Sequence, residues 1–299
     1  MKKSIVVFIG ALALSAFSTQ GLAQTLEKIK SSGVITLGYR DAAGPFSYLD
    51  DKQQPIGYSM DICRNIAEAV KTALNLPQLK INLNPVGPST RIPLIANGTI
   101  DLECGVSTNN AERQKQVSFT PTTFVTGTRL VYLKTLKVES MEDLRGKTIV
   151  SPSGSSNSKV LNEYNTKNNA GLNIMGATDL PEAFLIMQTG RAAAFATDDV
   201  LIYNMIANSK SPSDFAVSPF SLSVEPYGIM IPKDDPSFKK VADDAVIKLS
   251  KSGELDKLYD KWFMSPIPPK GANLKMPMSA NLKKALANPT DSPDPKVYE

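Results

Sequence analysis

Apolar positions along this chain follow two alternating periods, and their order predicts the architecture. Val34–Tyr39 is a short β-rich run behind the Ser32-Gly33 stop. Ile62, Ile66, Ala69, Val70 and Ala73 share one face at helical spacing, which predicts a helix over Ser59–Ala73. Leu79, Ile81 and Leu83 alternate with polar residues as a strand does. A short helix through Ile92, Leu94 and Ile95 stops at Gly98, and Asp101–Gly105 returns as a strand. The same order recurs downstream. Ser140 and Asp143 open a short helix ended by Gly146, Thr148–Val150 is a strand, and a Ser-rich turn leads to a helix across Val160–Tyr164. A strand ends at Ile174–Met175, a helix runs from Asp179 to Gly190, and Ala192–Thr197 is a small-residue buried strand. Tyr227–Ile231 reads as one strand, and Pro236–Ser252 as a long helix capped by Asp235 and stopped by Gly253. Beyond Pro266 the chain is rich in proline and short on periodicity, so it is expected to wrap the surface or lack order.

Alternating strand and helix units predict α/β layers with mainly parallel sheets. Ligands in such sheets bind where loops leave the carboxyl ends of strands, here after Tyr39, Gly105, Val150 and Thr197.

The first residues set the expected compartment. Lys2 and Lys3 precede an apolar run from Ile5 to Phe17, and the small residues Gly21 and Ala23 suit a signal peptidase. Residues 1–23 are therefore read as a signal peptide, the run being well short of the ~20 residues that span a bilayer. The remaining chain of about 275 residues exceeds the usual single core, which predicts two domains. Removing two lysines from 33 basic residues leaves 31 against 29 acidic ones, a net +2 that argues for neither nucleic acid nor an anionic surface. The sequence contains no histidine, so the commonest general base and transition-metal ligand is missing, and two cysteines do not make a zinc site. Composition leans against an enzyme, a metal site or a cofactor. In an oxidising compartment Cys63 and Cys104 are free to pair; two separately buried thiols are the alternative.

Charge at the predicted strand exits carries the candidate chemistry. Arg40 follows the first strand, and Arg91, Arg113 and Arg129 share strand ends or helix starts. A guanidinium matches carboxylate oxygens with two parallel bonds, so several converging on one cleft imply an anionic ligand. Thr108 and Asn110, just before Arg113, supply polar groups that serve equally as helix caps. Ser153 to Asn157 form a turn whose amides can face an anion, without the lysine and spacing of a nucleotide loop. Asp198 is placed to meet an ammonium group; capping the next helix is the competing role for Asp198 and Asp199.

Taken in order, these segments resemble the periplasmic polar-amino-acid binding proteins that serve ATP-driven importers. The match runs from about Thr25 to Pro269 and includes Leu26-Glu-Lys-Ile29, Pro45-Phe46-Ser-Tyr48, Gly57-Tyr-Ser-Met-Asp61, Arg91-Ile-Pro-Leu94 and Gly98-Thr-Ile-Asp101. It continues through Thr108–Arg113, Asp143-Leu-Arg-Gly-Lys147, Gly154-Ser155, Thr197-Asp198, Tyr227-Gly228 and Lys261-Trp-Phe263. Cys104-Gly105, Thr108 to Gln116, Gly127-Thr-Arg129 and Pro266-Ile-Pro-Pro269 are similar to the glutamate/aspartate-binding branch. The resemblance implies a type II two-lobed α/β fold, each lobe a mainly parallel sheet flanked by helices, with two hinge strands near Thr123–Gly127 and Leu222–Pro226. It divides the chain into lobe 1 (24–124 and 226–268), lobe 2 (125–225) and a C-terminal extension (269–299) on lobe 1. It implies a periplasmic monomer that takes an acidic amino acid to permease subunits in the inner membrane. Arg113, Thr108 and the amides around Ser155 and Ser156 would hold the ligand α-carboxylate, Asp198 the α-ammonium, and Arg40 and Arg91 the side chain. Pro88 and Val106 stand where that branch tends to carry serine, and Leu180 where it carries histidine, which opens the site to another amino acid or anion. The rival on the same scaffold is a dehydratase of small carboxylic acids.

Overall fold

The computed structural model describes residues 24–299; the expected signal peptide lies outside them. Among the described residues, ten strands form two five-stranded sheets. The first has the order Lys80–Pro85, Val34–Tyr39, Leu102–Glu103, Met230–Pro232, Val117–Phe119; the second has Asn173–Ala177, Thr148–Pro152, Ala194–Asp198, Thr128–Leu133, Phe215–Val217. Each sheet is mixed: three neighbouring strands run parallel, and the other two pairings are antiparallel. The reversal follows from chain path. Thr128–Leu133 and Met230–Pro232 are the strands that enter a sheet directly after the chain crosses between lobes, so they run against those laid down by strand–helix–strand units.

The crossings are Phe124–Thr126 and Glu225–Tyr227, which pair antiparallel with Thr126 opposite Glu225 and Phe124 opposite Tyr227. The single strand expected over Tyr227–Ile231 is thus two. Tyr227 belongs to the crossing, Met230–Pro232 belongs to the first sheet, and the chain bends between them at Gly228. Sequence periodicity does not register the break, because the residues on both sides are buried.

The helices form for the reasons their sequences give. Tyr58–Ala73 turns Met60, Ile62, Cys63, Ile66 and Val70 to the core. Pro236–Lys251 starts at Asp235, whose carboxylate accepts from the Phe238 N–H at 3.0 Å. Cys63 on the first of these helices is joined to Cys104 at the end of the strand Leu102–Glu103, with Cα atoms 6.0 Å apart. The pairing that composition left open is a disulfide, and it fixes the helix behind the loop that begins at Gly105. The proline-rich tail is ordered where side chains find partners: Ser279 caps the helix Ala280–Ala287, and Pro295–Tyr298 is a 3₁₀ turn with a buried Tyr298. None of the described helices is long and apolar enough to cross a membrane.

A cleft built from three guanidinium groups and paired carboxyls

Arg40, at the exit of Val34–Tyr39, is buried, and its backbone N–H donates to Ser47 Oγ at 2.9 Å. Arg91 begins the helix Arg91–Ala96; its Nη1 donates to the Val106 carbonyl at 2.9 Å and lies 4.0 Å from Glu103 Oε1. Glu103 is fully buried on the strand Leu102–Glu103, where Oε2 accepts from Ser107 Oγ at 2.6 Å while Oε1 has no hydrogen-bond partner among the described residues. Gly105 makes this approach possible. A Cβ there would stand 2.1 Å from Glu103 Oε1 and 3.0 Å from Arg40 Cγ.

Arg113 and Thr108 occupy the next loop. Arg113 Nη1 donates to the Thr108 carbonyl at 2.9 Å, and Nη2 reaches the Gly154 carbonyl of the facing lobe at 3.4 Å. Asn110 takes the capping role, its Oδ1 accepting from the Arg113 N–H at 2.9 Å. Thr108 is thereby released, and its hydroxyl meets that of Ser156 at 3.0 Å across the cleft. Lys159 and Glu112 form a further ion pair between the lobes. Burial draws the guanidinium of Arg113 down to about 10, as does Arg91 beside it, against the pull of Glu225, Glu103 and Asp198. Arg40 is likewise held down to about 10 by burial and by Arg91. Arg113 therefore feels both the Arg91–Glu103 pair and the carboxyls of the facing lobe.

The second lobe contributes Ser155, Ser156 and Asp198. The Ser155 hydroxyl caps the helix Ser156–Asn168 by accepting from the Ser158 N–H at 3.1 Å, and the Ser155 N–H is spent on the Pro152 carbonyl at 3.2 Å. Of the two serines, Ser156 carries the first-turn N–H that no residue of its own helix can satisfy. The adjacent acids Asp198 and Asp199 divide two roles between them. Asp199 accepts from the Val200 N–H at 2.7 Å and from Thr126 Oγ1 at 2.6 Å. Asp198, at the N-cap position, makes no cap bond; it accepts from Asn157 Nδ2 at 2.8 Å and from the Tyr227 hydroxyl. Burial, and the neighbouring Glu225, push the Asp198 carboxyl up to about 7. Glu225 is itself buried, accepts from Ser223 Oγ at 2.6 Å, and leaves Oε2 without a partner. A buried carboxyl whose proton affinity is raised by a second one favours a cation beside it.

All seven residues anticipated from sequence meet at one place. Arg40, Arg91, Ser155, Ser156 and Asp198 line a single cavity with Pro88, Val106, Pro152, Asn157, Leu180, Thr197 and Leu201, and Thr108 and Arg113 adjoin it through the contacts above. Arg129 does not join them: it lies 3.8 Å from Asp199 and donates to the Ser218 carbonyl. The sequence assigned no side-chain role to Glu103, Asn157, Glu225 or Tyr227. Glu103 left a signal, being an acid inside an otherwise apolar strand between Leu102 and Cys104. The other three did not: Asn157 and Tyr227 meet Asp198 from 41 and 29 residues away along the chain, and Glu225 meets Thr128 from 97 residues away. The closed cavity holds about 20 Å³, little more than one water, so a larger ligand enters only when the lobes part or side chains turn.

Residues 35–265 match the model of the bacterial extracellular solute-binding proteins, family 3. The chain is 48% identical over 284 residues to the L-glutamate/L-aspartate-binding protein of Pseudomonas aeruginosa, covering 95% of this chain and 94% of that one. It is 42% identical over 291 residues to the glutamate/aspartate import solute-binding protein of Escherichia coli K12, covering 94% and 95%. Among solved structures, a mutant of ArgBP from T. maritima aligns with a TM-score of 0.71 at 26% identity, over 80% of this chain and 98% of that one. A fold of two sheets joined by paired crossings, with a charged cleft between them, and a family match across most of the chain identify this protein as a member of the bacterial extracellular solute-binding proteins, family 3.

Proposed function

We propose that this protein is the periplasmic binding component of an ATP-driven importer, and that it captures an acidic amino acid, glutamate, aspartate or a related anion, by closure of two lobes (24–124 with 226–268, and 125–225). The observation that carries the reading is the gathering of Arg40, Arg91 and Arg113 from three separate segments around the cavity that the buried Asp198 also lines. Arg113, with Thr108 and the helix start at Ser156, takes the ligand α-carboxylate. Asp198, whose partners Asn157 and Tyr227 fix its orientation, takes the α-ammonium. Arg91 commits Nη1 to the Val106 carbonyl and lies 4.0 Å from Glu103, while its buried Nε has no partner among the described residues. The ligand side-chain carboxylate therefore falls to Arg40 and Arg91, with Glu103 offsetting part of their charge. Burying a zwitterion with a further negative end is tolerable because each charge meets a partner.

The names of the curated relatives describe binding and import, which favours capture over turnover and over the dehydratase alternative. Removal of residues 1–23 on export, action as a monomer and docking on permease subunits complete the proposal. Pro88, Val106 and Leu180 line the cavity and offer no side-chain polar contact, which gives this site its own preference among acidic ligands. A thermal-shift screen over amino acids and dicarboxylates tests it, since a ligand at 1,000 times its Kd stabilises by about 4 kcal/mol. Glutamate, aspartate or a related acidic amino acid raises the melting temperature, and glutamine and arginine do so less. Stabilisation by cationic or apolar amino acids alone would overturn the acidic assignment.

A further inference from the structure

The end of the chain lies directly behind the cleft. Asp291 offers its backbone carbonyl to two side chains of the binding loop, Asn109 Nδ2 at 2.8 Å and Gln114 Nε2 at 2.9 Å. These two also bond each other at 2.9 Å, and they bracket Arg113 together with Thr108. The Thr122 N–H donates to the Thr290 carbonyl at 2.8 Å, two residues before the crossing strand Phe124–Thr126. Tyr298 is 1% exposed beside a Val297 that is 42% exposed; its hydroxyl accepts from Thr122 Oγ1 and donates to the Ser292 carbonyl. The Asp291 carboxylate pairs with Lys239 at 2.9 Å, and Lys239 also reaches the Phe119 carbonyl at 2.8 Å. The helix Ala280–Ala287 packs on Phe124–Thr126, and Pro295–Tyr298 packs on Glu225–Tyr227, so the segment touches both crossings.

The binding loop has little regular structure of its own. Between Gly105 and the 3₁₀ turn Arg113–Lys115 its backbone is tied by the bridge of Thr108 to Tyr227 and by the Asn109 N–H to the Pro226 carbonyl at 2.7 Å. It is held as well by Ser59 Oγ on the Gly105 carbonyl at 2.7 Å, by Arg91 on the Val106 carbonyl, by the Gly228 N–H on the Ser107 carbonyl at 3.2 Å and by the bonds among Asn110, Arg113 and Thr108; the bonds to Asp291 tie Asn109 and Gln114 to the last residues of the chain. A guanidinium fixed to within a fraction of an ångström binds a carboxylate far better than a mobile one, because the ordering cost is met before the ligand arrives.

We infer that residues 290–298 are a positioning strap for ligand capture, holding the Thr108–Arg113 loop against both crossing strands so that Arg113 and Thr108 are preorganised toward the ligand. The inference rests on the reading of the cleft as an amino-acid site. Asp291 acts through Asn109 and Gln114, and Tyr298 is the anchor that keeps the strap seated.

The test uses the full mature chain with Tyr298→Ala, Tyr298→Phe and Gln114→Met, at a temperature where circular dichroism finds each fully folded. Hydrogen exchange on ligand-free protein reads the loop without any ligand: Tyr298→Ala raises amide exchange across residues 108–114. Calorimetry with glutamate or aspartate then gives Kd about ten-fold higher for Tyr298→Ala, the cost of ordering a few freed side chains, with Tyr298→Phe in between. A merely structural strap predicts the same loss with or without Arg113; a positioning strap predicts that the effect of Tyr298→Ala shrinks in an Arg113→Ala background. Unchanged exchange and an affinity within two-fold of the parent overturn the strap. Should Tyr298→Ala fail to fold, unchanged exchange and affinity in Gln114→Met overturn it instead. A parent that binds neither amino acid while the exchange effect persists removes the acidic-ligand reading and leaves the strap standing.

Discussion

The hydroxyl of Thr108 meets the hydroxyl of Ser156 at 3.0 Å, one on each lobe, and this contact holds the cleft shut at the point where the proposed ligand carboxylate would sit. Around it the lobes approach so closely that a Cβ on Gly154 would stand 3.0 Å from the Pro88 carbonyl and from Ser89 Cα, and Gly154 has φ +79°. The closed form thus depends on a missing side chain. Gly154→Ala is expected to strain the turn and wedge the lobes apart, weakening ligand binding about ten-fold or more. Small-angle scattering of the ligand-saturated variant checks it: an expanded radius relative to the parent is expected, and an identical curve with identical affinity contradicts it.

Arg113 is assigned to the ligand α-carboxylate. Its loss removes two charge-assisted bonds to a ligand carboxylate and leaves that carboxylate buried without a partner. Arg113→Ala should cost about 3–4 kcal/mol of binding, two to three orders of magnitude in Kd. Calorimetry that finds unchanged affinity removes Arg113 from the site.

Arg40 is assigned to the ligand side chain, so its removal should act on selectivity. Arg40→Ala is expected to lower affinity for glutamate much more than for glutamine, because only the former brings a second carboxylate. Competition measurements with both amino acids decide the point, and an equal loss for the two shows that Arg40 serves the fold instead.

Asp198 gives the protein a pH dependence of definite sign. Its carboxyl is held near 7 against an ordinary 3.8, by burial first and Glu225 second, with Asp199 adding to the rise and Tyr227 and Asn157 opposing it. A carboxyl that binds its proton more tightly folded than unfolded favours folding at low pH, and that contribution is lost as pH rises from about 4 through about 7. The ligand ammonium favours the ionised form, so capture near pH 6 should release a fraction of a proton. Calorimetry in buffers of different ionisation enthalpy measures it. Asp198→Asn should abolish the release, and a proton count that does not change in that variant counts against the assignment.

The disulfide joins Cys63 to Cys104 across a sequence separation of 41. In the chain-entropy account a loop of that length is worth about 3–4 kcal/mol of stability. Reduction should lower the melting temperature by several degrees while leaving the cleft chemistry intact, since neither sulfur lines it. Scanning calorimetry with and without reductant checks this; a melting temperature that does not move counts against the bridge.

Local pattern carried much of this molecule. The apolar face of Tyr58–Ala73, the cap at Asp235, the glycine stops and the arginines at strand exits follow from neighbours within a few residues, so the chain alone predicts them. The tertiary structure decided every choice between equivalent local options. Asp198 and Asp199 are chemically identical and adjacent; Thr126 and the Val200 N–H claim one, while Tyr227 and Asn157 draw the other into the cleft. Arg91 and Arg129 look alike in sequence, yet only Arg91 finds Glu103, because the strand that carries Glu103 lies beside its helix in the folded chain. The break at Gly228 and the strap behind the cleft were likewise set by contacts between segments that the sequence keeps far apart. Short-range periodicity encodes which face of an element is buried; it holds no record of which distant group arrives to satisfy a buried charge.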